Sequence, residues 1–154
     1  MLLAELEARV TPGVRVLDVG TGSGILGVAC LLLGAGSVEA LDTDPLAVDA
    51  ATENAQLNGV GERLRSTLTP VAELTGVYSL VLANIEARVL VPEARSIAAR
   101  VAPSGMLLLS GLLHSDVDTV RAAYPEFAEI ARPALGEWSA LVLQQAVAQA
   151  GRGE

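Results

Sequence analysis

A chain of 154 residues with 51% hydrophobic side chains is the length of one domain and carries enough apolar material for a core around a multi-stranded sheet. Its 18 acidic residues outnumber its 10 basic ones, all of them arginines, and the formal charge of -8 argues against direct nucleic-acid binding. One cysteine excludes an internal disulfide and a thiolate metal site, one histidine excludes a histidine metal cluster, and no run approaches the ~20 apolar residues of a membrane span. The expectation is a cytoplasmic protein without metal or membrane attachment, and the acidic start Met1 to Glu7 is unlike a secretory signal.

Leu2, Leu3, Leu6 and Val10 recur at helical spacing before Thr11-Pro12-Gly13 breaks the pattern, which predicts a short leading helix. Val14 to Val19 reads as a buried strand that turns through a glycine-rich loop into an apolar helix from Ile25 to Leu33, stopped by Gly34 and Gly36. Ser37 to Leu41 is a second strand. Asp44 and Pro45 then supply the cap and first turn of a helix that ends at Asn58-Gly59. A weaker third strand is expected near Leu64 to Leu68, a fourth from Tyr78 to Ala83, and one helix from Glu86 to Val101. Met106 to Ser110 gives a fifth strand and Asp116 to Tyr124 a helix. Phe127 to Arg132 and Trp138 to Leu143 form a closing hairpin around Pro133 to Gly136.

This alternation predicts an α/β, Rossmann-like, mostly parallel seven-stranded sheet with a C-terminal antiparallel hairpin, and places ligands at the carboxyl ends of the strands. The expected domain covers residues 1–144, with a polar tail over 145–154.

The chemistry gathers at those strand ends. Gly20, Gly22 and Gly24 stand where a buried strand becomes a helix, so backbone free of Cβ atoms can approach a ligand and helix amides can face an anion. That anion is a pyrophosphate in a dinucleotide enzyme and a methionine carboxylate in a methyl-donor enzyme. Gly22-Ser23-Gly24-Ile25-Leu26-Gly27 satisfies the dinucleotide fingerprint, so the loop alone leaves both open. Asp18, two residues before Gly20, can brace the loop or face a cationic methionine moiety, and a dinucleotide site has no usual task for it. Asp42 ends the second strand, where a carboxylate can take both hydroxyls of a ribose, and Asp44 reads as the helix cap. Asn84 leaves the fourth strand with an acceptor and a donor, which suits holding a substrate amine against a cofactor methyl.

Val16-Leu17-Asp18-Val19-Gly20-Thr21-Gly22-Ser23-Gly24-Ile25-Leu26, Leu41-Asp42-Thr43-Asp44-Pro45, Leu82-Ala83-Asn84-Ile85 and Gly136-Glu137-Trp138 together resemble the class I S-adenosylmethionine-dependent methyltransferases. Among these the chain is most similar to the PrmA family, which methylates large-subunit ribosomal protein eleven, and the likeness runs roughly from Leu3 to Leu143. The resemblance implies S-adenosyl-L-methionine as cofactor, held by Asp18, Gly20, Thr21, Gly22, Gly24, Asp42 and Asn84, with Asn84 also positioning the amine. It implies transfer of a methyl group to amino groups of a protein.

The family's amino-terminal substrate-recognition domain, and the threonine-rich segment before the leading helix, have no counterpart in the sequence, so the expectation is a catalytic domain alone. Ser79 stands where the superfamily commonly has an aspartate, and no acid follows the third strand at Thr67, Leu68 and Thr69. That leaves the adenine amino group to backbone or water. His114 is expected to be structural, Cys30 to be core, Trp138 to pack the hairpin, and Arg15, Arg63 and Arg65 to be too scattered for a basic patch. The alternatives are an NAD-dependent oxidoreductase, on the strength of Gly22, Gly24, Gly27 and Asp42, and a non-catalytic truncated methyltransferase domain.

Overall fold

A computed structural model describes residues 1–146. The chain runs α1 (Leu2–Arg9), β1 (Arg15–Val19), α2 (Ile25–Leu32), β2 (Ser37–Leu41), α3 (Pro45–Leu57), β3 (Leu64–Thr67), β4 (Tyr78–Asn84), α4 (Ala87–Leu90), α5 (Ala94–Ala98), β5 (Val101–Leu113), α6 (Val117–Ala122), β6 (Phe127–Ala131), β7 (Ala134–Leu135) and β8 (Trp138–Gln145). The strands form one sheet in the order β3-β2-β1-β4-β5-β8-β6, with the two-residue β7 attached to β8. Pairing is parallel from β3 through β5, and β8 runs antiparallel to both β5 and β6.

Period-two alternation divides β1 between two cores. Leu17 and Val19 face one layer, which holds Leu90, Ile97, Val120 and Tyr124 from the α4 to α6 side. Val16 faces the other, with Leu6 of α1, Leu26 and Cys30 of α2, and Ala55 of α3. The sheet is covered on both faces, so its strands read as apolar runs and its functional groups collect where the strands end.

Three sequence expectations need correction. The single helix over 86–101 is two short ones, because Pro92 donates no backbone hydrogen bond and the chain turns there before α5 begins. The fifth strand is longer in both directions than Met106 to Ser110. Val101 already pairs with Tyr78, and the register shifts before Met106 joins Leu80, through a segment in which Ser104 adopts φ 62°. The closing unit has three strands rather than two, which raises the total from seven to eight.

β8 also continues past residue 144. Gln144 is paired with Met106 and Ala128, and Gln145 with Phe127, so the start of the expected tail is sheet. The remainder, 147–154, lies outside the described residues. Among the described residues no helix is long and apolar enough to cross a membrane.

Candidate active site

The loop between β1 and α2 is locked from within. Gly20 and Thr21 donate their backbone N–H groups to the Leu41 carbonyl at 2.8 and 2.9 Å, which ties the loop to the end of β2. Thr21 is buried, and its hydroxyl donates to Asp18 Oδ2 at 2.7 Å while its carbonyl accepts from Gly24 N at 2.9 Å. Every polar group of Thr21 is thus spent on the loop itself, on Asp18 or on the end of β2. Gly20 has φ 71°, and a Cβ there would collide with the Ile85 Cγ2 methyl. Gly24 begins α2 at φ 79°, where a Cβ would stand 2.9 Å from Ala51 Cα, so α2 and α3 close together only over glycine.

Asp18 lies beneath the first turn of α2 and is 1% exposed. Burial pushes its carboxyl up to about 6, and the neighbouring Asp42 charge adds to the rise against the opposing hydrogen bonds from Thr21 and Gly27. Its Oδ1 is buried without a hydrogen-bond partner. A buried, unpaired carboxylate oxygen under a loop of this kind fits a ligand that carries positive charge.

Asp42 is half-buried and joins the two strand ends. Its Oδ2 accepts from Gly22 N at 2.9 Å and its Oδ1 from Asp44 N at 3.0 Å, while its own N–H donates to the Thr67 carbonyl at 3.2 Å. Each carboxylate oxygen keeps a lone pair beyond these bonds. Asp44 caps α3, accepting from Leu46 N at 2.9 Å, as its position before Pro45 predicts. The pinning of Gly22 by Asp42 was not legible in the sequence, because it links residues from two different strand ends.

The loop and Asp42 border a cleft of about 360 Å³. Its lining is mainly apolar, including Leu68, Pro70, Val71 and Ile85, and its two carboxylates are Asp42 and Glu93. The volume and the convergence of a few polar groups on an apolar wall suit a nucleoside-sized ligand. Glu93 was missed as a site residue because its place on the cleft wall comes from how the segment after β4 packs, which no local sequence signal carries.

Asn84 ends β4 directly beside β1, with Leu82 paired to Asp18 and Ala83 to Val19. It is exposed, and with Gly111 and Trp138 it lines a recess on the other side of Ile85 and Val89, which border both hollows. Trp138 is 48% exposed there, while its backbone pairs with Leu135 of β7. His114 is structural, as expected. Its ring nitrogens bond Ser139 Oγ at 2.6 Å and the Gly136 carbonyl at 2.8 Å, which fastens the segment after β5 to the closing unit. Cys30 is fully buried in the core.

Arg15, Arg63 and Arg65 are not scattered in space. All three line one concavity at the amino ends of the strands, with Glu39 and Glu62 among them, on the opposite edge from the cleft. The guanidinium of Arg15 lies 5.0 Å from the Tyr78 ring centre, and Arg63 donates to the Ala35 carbonyl at 2.9 Å.

The parallel order β3-β2-β1-β4-β5, the antiparallel β8 inserted between β5 and β6, and a glycine loop pinned to the carboxylate at the end of β2 define a class I methyltransferase domain. A dinucleotide-binding sheet would continue from β5 to β6 without that inserted strand. The chain belongs to the family described as Ribosomal protein L11 methyltransferase (PrmA), whose model matches residues 1–146.

Curated relatives named ribosomal protein L11 methyltransferase include one from Geobacter sp. (strain M21), 45% identical over 126 residues, covering 82% of this chain and 41% of the relative. One from Symbiobacterium thermophilum is 51% identical over 119 residues, covering 77% of this chain and 38% of the relative. The chain thus spans less than half the length of the curated relatives it matches. Among solved structures, a ribosomal protein L11 methylase from Lactobacillus delbrueckii subsp. bulgaricus superposes with a TM-score of 0.87 at 31% identity, covering 94% of this chain and 77% of that one. The N-methyltransferase NodS from Bradyrhizobium japonicum, solved with S-adenosyl-L-homocysteine, shares the fold at a TM-score of 0.74 and 14% identity, covering 94% of this chain and 84% of that one.

Proposed function

We propose that the chain is a catalytic domain that transfers a methyl group from S-adenosyl-L-methionine to amino groups of a protein, with ribosomal protein L11 as the substrate. The observation that carries this reading is the joint between loop and cleft: Gly22 N on Asp42 Oδ2 at 2.9 Å, beside a nucleoside-sized hollow, with Asn84 on the adjoining strand end. The family membership of residues 1–146 supports it.

S-adenosyl-L-methionine would supply an electrophilic methyl carbon and its own leaving group. The chain's residues do the rest by placement. Gly20, Gly22 and Gly24 present backbone to the methionine part, Thr21 and Asp18 hold that loop rigid, and Asp42 takes the ribose hydroxyls with its remaining lone pairs. The side-chain carbonyl of Asn84 accepts an N–H of the incoming neutral amine and aims the nitrogen lone pair at the methyl carbon. The amine's extra proton passes to solvent through the open recess. Trp138 forms a wall of that recess and shields the approaching side chain from water.

The enzyme acts in the cytoplasm, where ribosomal proteins are made, and its acidic surface leaves nucleic acid unbound.

Calorimetry with S-adenosylhomocysteine tests the cofactor, and well-folded protein that binds none of it sinks the reading. Transfer of radiolabelled methyl to purified ribosomal protein L11 tests the substrate. The chain contains no lysine, so labelled lysine belongs to the substrate. Binding without transfer to any ribosomal protein would favour a non-catalytic domain.

A further inference from the structure

We infer that Glu93 is the residue that reads the exocyclic amine of the cofactor's adenine, a specificity role built from the turn between α4 and α5. The inference rests on the cofactor reading above. Asp42 and Glu93 are the two carboxylates lining the cleft, and Asp42 is committed to the Gly22 and Asp44 amides and to the ribose. The segment after β3, which borders the same cleft through Leu68 and Thr69, offers Thr67, Leu68 and Thr69 and no acid. An adenine amine has two N–H donors, and a carboxylate is the strongest neutral-pH acceptor available to it.

The fold brings Glu93 into the wall of the cleft. Although Pro92 breaks the helix, Glu93 N still donates to the Val89 carbonyl at 3.2 Å, so Val89 and Glu93 both line the cleft. The following helix, α5, packs against the turn Val71–Glu73 that follows β3, and Val71 borders the cleft. Among the described residues the Glu93 side chain has no hydrogen bond or ion pair of its own, although Arg88 and Arg95 flank it in sequence. Glu93 is half-buried, and it lines the cleft together with Ile85 and Val89.

The test is a double-mutant cycle by calorimetry, pairing protein variants with ligand variants. The ligands are S-adenosylhomocysteine and its 6-deamino analogue, in which purine replaces adenine and only the amine is lost. Wild-type protein is expected to prefer the amine-bearing ligand by roughly tenfold or more, the scale of a hydrogen bond to a charged acceptor. Glu93→Ala brings the two affinities to within about threefold, and Glu93→Gln, which keeps the shape and an uncharged acceptor, falls between. Thermal melts confirm folding of both variants.

If both variants keep the full wild-type preference, the amine is held by backbone and Glu93 is a bystander, while the cofactor reading stands. If wild-type protein binds neither ligand, the cofactor reading fails and this inference falls with it.

Discussion

Asp42 sits at a junction where one side chain holds both the Gly22 and the Asp44 amide, and its substitution releases both at once. Asp42→Ala removes the acceptors of Gly22 and Asp44 and, in the proposed function, the seat of the ribose with them, so affinity for S-adenosylhomocysteine should fall by at least roughly tenfold in calorimetry. A loss of less than about twofold would reduce Asp42 to a turn residue. Asp18 gives a prediction in pH. Its carboxyl titrates near 6 in the fold against an ordinary 3.8, so the folded state holds the proton more tightly than the unfolded chain does. Stability is therefore lost as pH rises from about 4 through about 6, by roughly 3 kcal/mol once ionisation is complete. Asp18→Asn carries no such charge. The difference in melting temperature, variant minus wild type, should climb between pH 4.5 and 7, and a difference that stays flat across ~pH 4 to 7 would refute the buried-charge account.

The elements that were legible are those whose signals are local. Asp44 before Pro45 marks the start of α3, and the structure gives that cap bond at 2.9 Å. Asp44→Ala should cost about 1 kcal/mol in a denaturant titration, with no change in the cofactor cleft's selectivity. The apolar run into glycines marks β1, the loop and α2 in the same way. Where the reading failed, distant pairing or one backbone group decided the outcome. Helical periodicity continues through Pro92, but the missing amide splits the helix into α4 and α5. Val101 to Gly105 carry weak strand signals, yet Val101 is drawn into β5 because Tyr78 offers it a partner. The two residues of β7 have no periodicity to detect and exist only by pairing with Trp138 and Ser139.

At the scale of the whole molecule, the topology does what sequence spacing cannot express. It collects Arg15, Arg63 and Arg65 into one concavity at the amino edge of the sheet, and it gathers Gly20, Asp42, Asn84 and Glu93 at the carboxyl edge. The candidate loop, Asp42 and Asn84 were found in the sequence because each ends a recognisable strand. Glu93 and the position of Trp138 were not, because they depend on how α5 and β8 are placed.

The separation of the cleft from the Asn84 recess by Ile85 and Val89 makes a further prediction. Trp138→Ala should leave the affinity for S-adenosylhomocysteine within about threefold while lowering methyl transfer to protein by roughly tenfold or more, which filter binding and calorimetry together would show. Equal losses in both assays would mean that the two hollows work as one.

Cys30 gives the molecule a built-in optical probe. It is the sole thiol, 0% exposed on the inner face of α2, and burial together with the charge of Asp18 pushes it up to about 12. A thiol-reactive dye therefore stays silent on the native protein and colours it only when α2 lifts from the sheet. Because α2 begins at the glycine loop, the labelling rate reports how often the helix that the loop starts comes away from the sheet. Any small molecule that clamps the loop will announce itself as a slower colour change, with no need to engineer a reporter.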